Sequence, residues 1–296
     1  MSLILFSNEG GLRANGFPRF SLGVQQVVTS KGEVVGNLYE RRQAVTYQTN
    51  IGEQIRECYA REVKPAIEAE PESAQAIGLW ILLHGALHDS SIWMKNGVQE
   101  LLAKQGFRSL AMDMPGFGEV PDQKRVPANQ MAAYMEAVKN EFNADYVIVV
   151  APVMAGKFAL PWLMNMPTSF LGFVAIDTIE TERYPDEQYQ SITNLPILLV
   201  YGERDQVGQT AQKKFSLVEL YQVEVVPSFG TNWYQEKTTT LRKHIENFSG
   251  IVIEHVNEMR NRDLPEEERA EAVGEGDVEG AVPEGEGDIP AEVAPV

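Results

Sequence analysis

The stretch Ala151-Pro152-Val153-Met154-Ala155-Gly156 lies between the apolar run DYVIVV and the helix-like KFALPWL. A strand, a sharp turn through small residues and a helix form the setting that lifts a serine or cysteine clear of a sheet for attack on an acyl carbon. Here the centre of the turn is Val153, which has no lone pair to attack with. LLHG, residues 82–85, ends another apolar run and precedes ALHDSSIW. A loop so placed offers backbone N–H groups to an oxyanion, with donors expected near Ala86 and Met154 and with His84 and Gly85 shaping the loop. His84 reads as a ring that props the loop rather than as a base. DMPGFG, residues 113–118, is a further loop at the same edge, relaxed by Gly116 and Gly118.

The remaining reactive side chains offer no substitute machinery. His88 follows the oxyanion loop, while His244 and His255 fall in the C-terminal helical pattern. His244 follows Leu241 by three and precedes Phe248 by four, as expected of a satisfied helix histidine. Ser90 and Ser91 read as loop or N-cap hydroxyls. Cys58 is the sole cysteine, which excludes an intramolecular disulfide and a cysteine zinc cluster, and it reads as a small buried hydrophobe. No metal-ligand spacing is found, and no cofactor is expected.

The elements that would position these residues follow from the hydrophobic pattern. From Leu79 onward, apolar runs without polar alternation (GLWILLHG, FRSLAMD, DYVIVV, LGFVAID, LPILLVYG, QVEVVPS) alternate with segments of helical spacing. That order predicts a mainly parallel sheet covered on both faces, a three-layer α/β sandwich. Upstream, AVTYQTNIGEQIRECYAREV predicts two antiparallel strands joined near Asn50 and Gly52, and SLGVQQVVTS one short strand. TIETERYPDEQYQSITN stands in place of a full crossover helix and is expected over the carboxyl edge of the sheet, as a small cap at most. Leu241, Ile245 and Phe248 share a helix face, and Ser249-Gly250 predicts a break into a second helix.

Length and charge set outer limits. The chain has 296 residues, 44% hydrophobic, and a formal charge of -17. From Asp263 on there are 12 acidic residues against one basic, Arg269, so the end of the chain carries most of that charge. With no basic patch, binding to nucleic acid by counterion release is not expected. MSLILFSNEGG has too few apolar residues for a signal-peptide core, and Lys157 and Pro152 argue against a membrane span through the elbow. The domain expectation is an extended arm over 1–43, a globular domain over 44–250, a helix over 251–262 and an acidic, disordered tail over 263–296.

Taken together, LLHGALHDSSIW, LAMDMPGFG, APVMAGKFALPWL and LLVYGERDQVGQT resemble the alpha/beta-hydrolase-domain-containing protein 14 group, the CIB-like α/β hydrolases, over roughly residues 44–250. The resemblance implies an α/β-hydrolase fold. It also implies a triad, which carries over unequally. Asp205, in YGERDQVGQT, matches the family's acid; the nucleophile position falls on Val153; and the base position, in SFGTNWY, falls on Thr231. A threonine hydroxyl is a very weak base near neutral pH. Asp205 is therefore expected to organise its loop, held by the QVGQT turn or by Thr231 and Asn232.

These residues lead to the expectation of a protein that is not an enzyme: a degenerate hydrolase serving as a structural or protein-interaction component. Other proteins would be engaged through the N-terminal arm and the C-terminal helix, in the cytoplasm, with a cytoskeletal or ciliary assembly as a further expectation. Two alternatives stand beside it. One is an esterase or deacetylase with displaced catalytic groups, as the resemblance suggests. The other is a small-ligand receptor that uses the vacant pocket.

Overall fold

The computed structural model describes residues 22–66, 78–120 and 125–263. The chain divides into two compact units, 1–256 and 257–296. Of the second, only 257–263 is described, the end of the last helix, with an Arg262–Glu258 ion pair at 3.8 Å. The expected tail from 264 on lies outside the described residues.

Strands β1 (Leu22–Val28), β2 (Val34–Thr49) and β3 (Gly52–Pro65) form an antiparallel meander. The β2–β3 turn closes at Thr49 and Gly52, where Gly52 takes φ +104°, a conformation open to glycine and costly for other residues. The expected arm over 1–43 is corrected here, because within it Leu22–Val28 and the residues from Val34 on are strands of the sheet. Val27, Leu38 and Val63 cluster with Ala103, so this segment has an apolar face to bury. Residues 1–21 lie outside the described part.

β3 then pairs antiparallel with β5 (Ser109–Asp113), and the rest of the sheet is parallel: β4 (Leu79–Leu82), β6 (Val147–Pro152), β7 (Phe170–Ile176), β8 (Ile197–Gly202) and β9 (Tyr221–Val226). The order is β1-β2-β3-β5-β4-β6-β7-β8-β9. Every residue of β4 to β8 is buried, the consequence of a sheet covered on both faces. Strand order reverses at β4, which has β5 on one side and β6 on the other. The crevice beyond the carboxyl ends of such strands is where α/β sheets place their sites.

Helices α1 (Ile92–Lys95), α2 (Val98–Lys104), α3 (Met131–Glu141), α4 (Gly156–Asn165), α5 (Asp186–Gln190), α6 (Gln206–Phe215), α7 (Trp233–Glu236) and α8 (Thr238–Asp263) complete the described chain. Tyr134 and Met135 of α3, Phe158 and Leu163 of α4, and Phe215 of α6 share one core with Ile81, Val149 and Phe173 of the strands. On the other face α2 lies against β2, β3 and β5, and α8 lies so close to β7 that a Cβ on Gly172 would sit 2.9 Å from Val252. The expected break at Ser249-Gly250 does not occur. Leu241, Ile245, Phe248, Val252 and Val256 are all buried, and this stripe outweighs the roughly 1 kcal/mol that one glycine costs a helix. Among the described residues no helix is long and apolar enough to cross a membrane.

Candidate active site

The elbow stands where the sequence places it, and it is strained. β6 delivers the chain to Val153, whose φ is +46°. For a β-branched residue that conformation costs on the order of 1–3 kcal/mol and persists only when the surroundings enforce it. Here the loop after β7 does so. Ile179 N–H donates to the Val153 carbonyl (3.1 Å), and Thr178 Oγ1 donates to the Ala151 carbonyl (2.6 Å). Gly156 admits this approach, since a Cβ there would lie 2.4 Å from the Ile179 carbonyl oxygen.

Across the crevice, His84 is fully buried with both ring nitrogens engaged. Met114 N–H donates to Nε2 (3.1 Å), so Nε2 carries no proton; Nδ1 faces the Gly85 carbonyl (2.9 Å) and must therefore be the N–H donor. Burial holds the ring neutral by lowering its pKa. His84 is thus a fixed prop between the oxyanion loop and the loop after β5. Asp113 adds a second tie, accepting from Ser90 N–H (2.6 Å) and Glu119 N–H (2.7 Å). Ala86, the other expected donor position, is exposed, while Met154 is half-buried beside the elbow.

Asp205 caps α6, its Oδ1 accepting from Val207 N–H at 3.0 Å, so the QVGQT turn supplies the expected donor. Thr231 is exposed, and the backbone N–H of its neighbour Asn232 donates not to Asp205 but to Asp177 Oδ2 (3.3 Å). Asp177, just past β7, also accepts from Gly202 N–H at 3.1 Å. It is fully buried at φ +46°. Burial first, and then the Asp205 carboxyl facing it, push its pKa up to about 8. Asp205 Oδ2 is buried without a fixed donor, so the contact between the two carboxyls requires a proton.

Tyr234 completes the cluster. Its ring is buried and stacked on Trp93, with centroids 6.3 Å apart. Its hydroxyl lies against the Gly85 backbone and the Gln235 side chain and presses on the oxyanion loop: a Cβ on Gly85 would be 2.7 Å from Tyr234 Oη. Sequence reasoning missed both Asp177 and Tyr234. The signal for Asp177 was an acid directly after the apolar strand LGFVAI, at the edge where such sheets place their sites. Tyr234 had no signal of its own beyond lying three residues past Thr231.

Of the other side chains singled out, Cys58 is buried in β3 and His244 packs edge-on to Trp233. Among the described residues no group of three His, Cys, Asp or Glu is placed to hold a metal ion. A cleft of about 580 Å³ runs from the elbow at Met154 and Gly156 past Phe117, Met131 and Phe158.

The alpha/beta hydrolase fold family matches residues 80–249. The Pongo abelii protein named "Putative protein-lysine deacylase ABHD14B" is 30% identical over 173 residues, covering 57% of this chain and 82% of that one. This chain belongs to the alpha/beta-hydrolase family. ABHD14A of Rattus norvegicus is 32% identical over 162 residues, 54% of this chain and 64% of the relative, so just under two thirds of that protein's length is spanned. Among solved structures, carboxylesterase CesB (YbfK) of Bacillus subtilis aligns with a TM-score of 0.53 at 18% identity, over 70% of this chain and 91% of that one.

These findings overturn the expectation that the chain is not an enzyme. Relatives at 30% identity carry a deacylase name, and the fold is one that a carboxylesterase uses. The physical reason lies in what Val153 and Thr231 exclude. A valine closes the covalent acyl-enzyme route, and an exposed threonine supplies no base, but neither closes attack by water assisted by other acid and base groups.

Proposed function

We propose that this protein is an acyl hydrolase of the esterase or deacylase class, with displaced catalytic groups and water as the nucleophile. The observation that carries the reading is the Asp177–Asp205 pair, two buried carboxyls facing one another at the carboxyl edge of the sheet, where burial and the neighbouring carboxyl push the pKa of Asp177 up. Such a pair offers a base and an acid at once, because two adjacent carboxyls cannot both ionise. The deacylase name of the Pongo abelii relative supports the reaction class.

The pair works through its proton. Its unprotonated member takes a proton from water as the water oxygen adds to the acyl carbon. Backbone N–H groups near Ala86 and Met154, with the Tyr234 hydroxyl, stabilise the oxyanion that forms. The protonated member then gives its proton to the leaving oxygen or nitrogen as the acyl bond breaks. One water is consumed, an acid and an alcohol or amine are released, and the pair ends with the single proton it began with.

The full chain is tested with 4-nitrophenyl acetate and an acetyl-lysine peptide, alongside a serine-directed fluorophosphonate probe. Turnover of either substrate without probe labelling is the expected result. A folded protein that hydrolyses neither one sinks the proposal. A cytoplasmic location and contacts with other proteins through the chain's ends complete it; gentle purification followed by sizing, with the protein running solely as a 33.0 kDa monomer, speaks against those contacts.

A further inference from the structure

Resting on the acyl-hydrolase reading, we infer that the acyl group this site takes ends in a carboxylate. The cleft beside the elbow has two kinds of wall. Near Met154 it is apolar, with Phe117, Met131 and Phe158, and suits an aliphatic stem. Among the described residues Arg125, Lys157 and Arg183 also line it, against a single carboxylate, Glu180. This concentration of cations runs against a chain that holds 42 acidic residues and 25 basic ones.

The pairing within the group leaves positive charge over. Glu180 reaches both Lys157 Nζ (3.7 Å) and Arg183 Nη1 (2.5 Å), from a left-handed backbone at φ +72° that holds it at this lip. One carboxylate thus serves two cations. Arg125 has no carboxylate partner among the described residues, and its guanidinium lies 5.8 Å from the centre of the Phe117 ring, over the apolar wall. Among the described residues the cations around the cleft outnumber the carboxylate by two, and α4, ten residues long, begins at Gly156 in its wall with the positive end of its dipole.

An acyl chain with its carbonyl at the elbow and a carboxylate at the other end meets both walls. Its stem covers the apolar part, and its terminal oxygens accept from Arg125 or Arg183, whose planar forks match a carboxylate. A neutral chain of equal length makes the first contact and leaves the cations unanswered, which is the basis for discrimination.

The test compares mono-4-nitrophenyl adipate with 4-nitrophenyl hexanoate, equal in carbon count and differing in the terminal charge. In each, the water oxygen bonds the acyl carbon while the bond to nitrophenol oxygen breaks. The expected result is a KM for the adipate ester lower by roughly five- to ten-fold, shrinking in 0.5 M salt. In the Arg125→Gln/Arg183→Gln double variant the ratio of the two KM values falls towards one. Equal KM values for the wild type, or a preference that survives the double variant, overturn the inference while leaving the hydrolase reading intact. If neither ester is turned over, the hydrolase reading fails, and calorimetric titration with adipate and hexanoate decides the inference alone. Binding of adipate in preference to hexanoate, lost in the double variant, sustains it; equal or absent binding overturns it.

Discussion

Asp177 and Asp205, from the carboxyl ends of the adjacent strands β7 and β8, face one another in the interior at 0% and 5% exposure. Asp177 is fixed by two backbone donors, Gly202 N–H and Asn232 N–H, and Asp205 by one, Val207 N–H. No cation stands between them among the described contacts. The pair therefore holds together only with a proton on it, which ties the geometry of three loops to pH.

That proton gives a stability prediction with a definite sign. The folded pKa of Asp177 is raised to about 8 from an ordinary value near 3.8. A raised carboxyl contributes stability fully below its unfolded pKa, and the contribution is lost as pH climbs through the folded value. Wild-type stability from this source declines between about pH 4 and pH 8. Asp177→Asn keeps the shape and an N–H donor but does not titrate. Its Tm is expected to exceed wild type by about 2–4 °C per kcal/mol relieved at pH 8 and above, with the excess vanishing towards pH 4. Parallel Tm curves for the two proteins from pH 4 to 9 contradict the shared proton.

The Tyr234 hydroxyl is buried against the Gly85 backbone and the Gln235 side chain, at the oxyanion loop. Tyr234→Phe keeps the buried ring and is expected to stay folded with a Tm close to wild type. If the hydroxyl donates to the oxyanion, kcat for an acyl ester falls by roughly 10-fold or more while KM holds, since that bond forms only in the transition state. Unchanged kcat, or loss of stability in thermal melts, removes Tyr234 from the proposed machinery.

Cys58 is fully buried, and burial pushes its thiol up to about 12. It is inert in the folded chain and cannot serve as a displaced nucleophile. Iodoacetamide at pH 8 is expected to leave the native protein unmodified and to alkylate it stoichiometrically in denaturant. Rapid labelling of the native form, read by intact mass, contradicts this placement.

The sheet was legible because burial on both faces leaves continuous apolar runs, and each run from Leu79 onward became a strand. The elbow and the His84 loop were legible for the same reason: small residues and glycines mark where chain must turn at a strand's end. Leu22–Val28 and Val34–Thr49 were partly concealed because an edge meander is only half covered and its pattern is diluted by polar residues. The unbroken α8 was hidden because Ser249-Gly250 is a poor local sequence that long-range burial of Phe248 and Val252 overrides. Asp177 and Tyr234 were invisible for a different reason. Reading the family's triad positions directs attention to Val153 and Thr231, whereas the pair arises from a contact between residues 28 apart that only the parallel register of β7 and β8 brings together.

The most direct test of acyl hydrolysis by a carboxyl pair is the rate of 4-nitrophenyl acetate hydrolysis by wild type and Asp205→Asn at pH 7, with intact mass followed during turnover. The account predicts wild-type turnover with the protein mass unchanged throughout, and a fall of roughly 100-fold or more in kcat/KM for the folded variant. Equal rates in the two proteins, or an acetylated wild-type chain accumulating during the reaction, would contradict it.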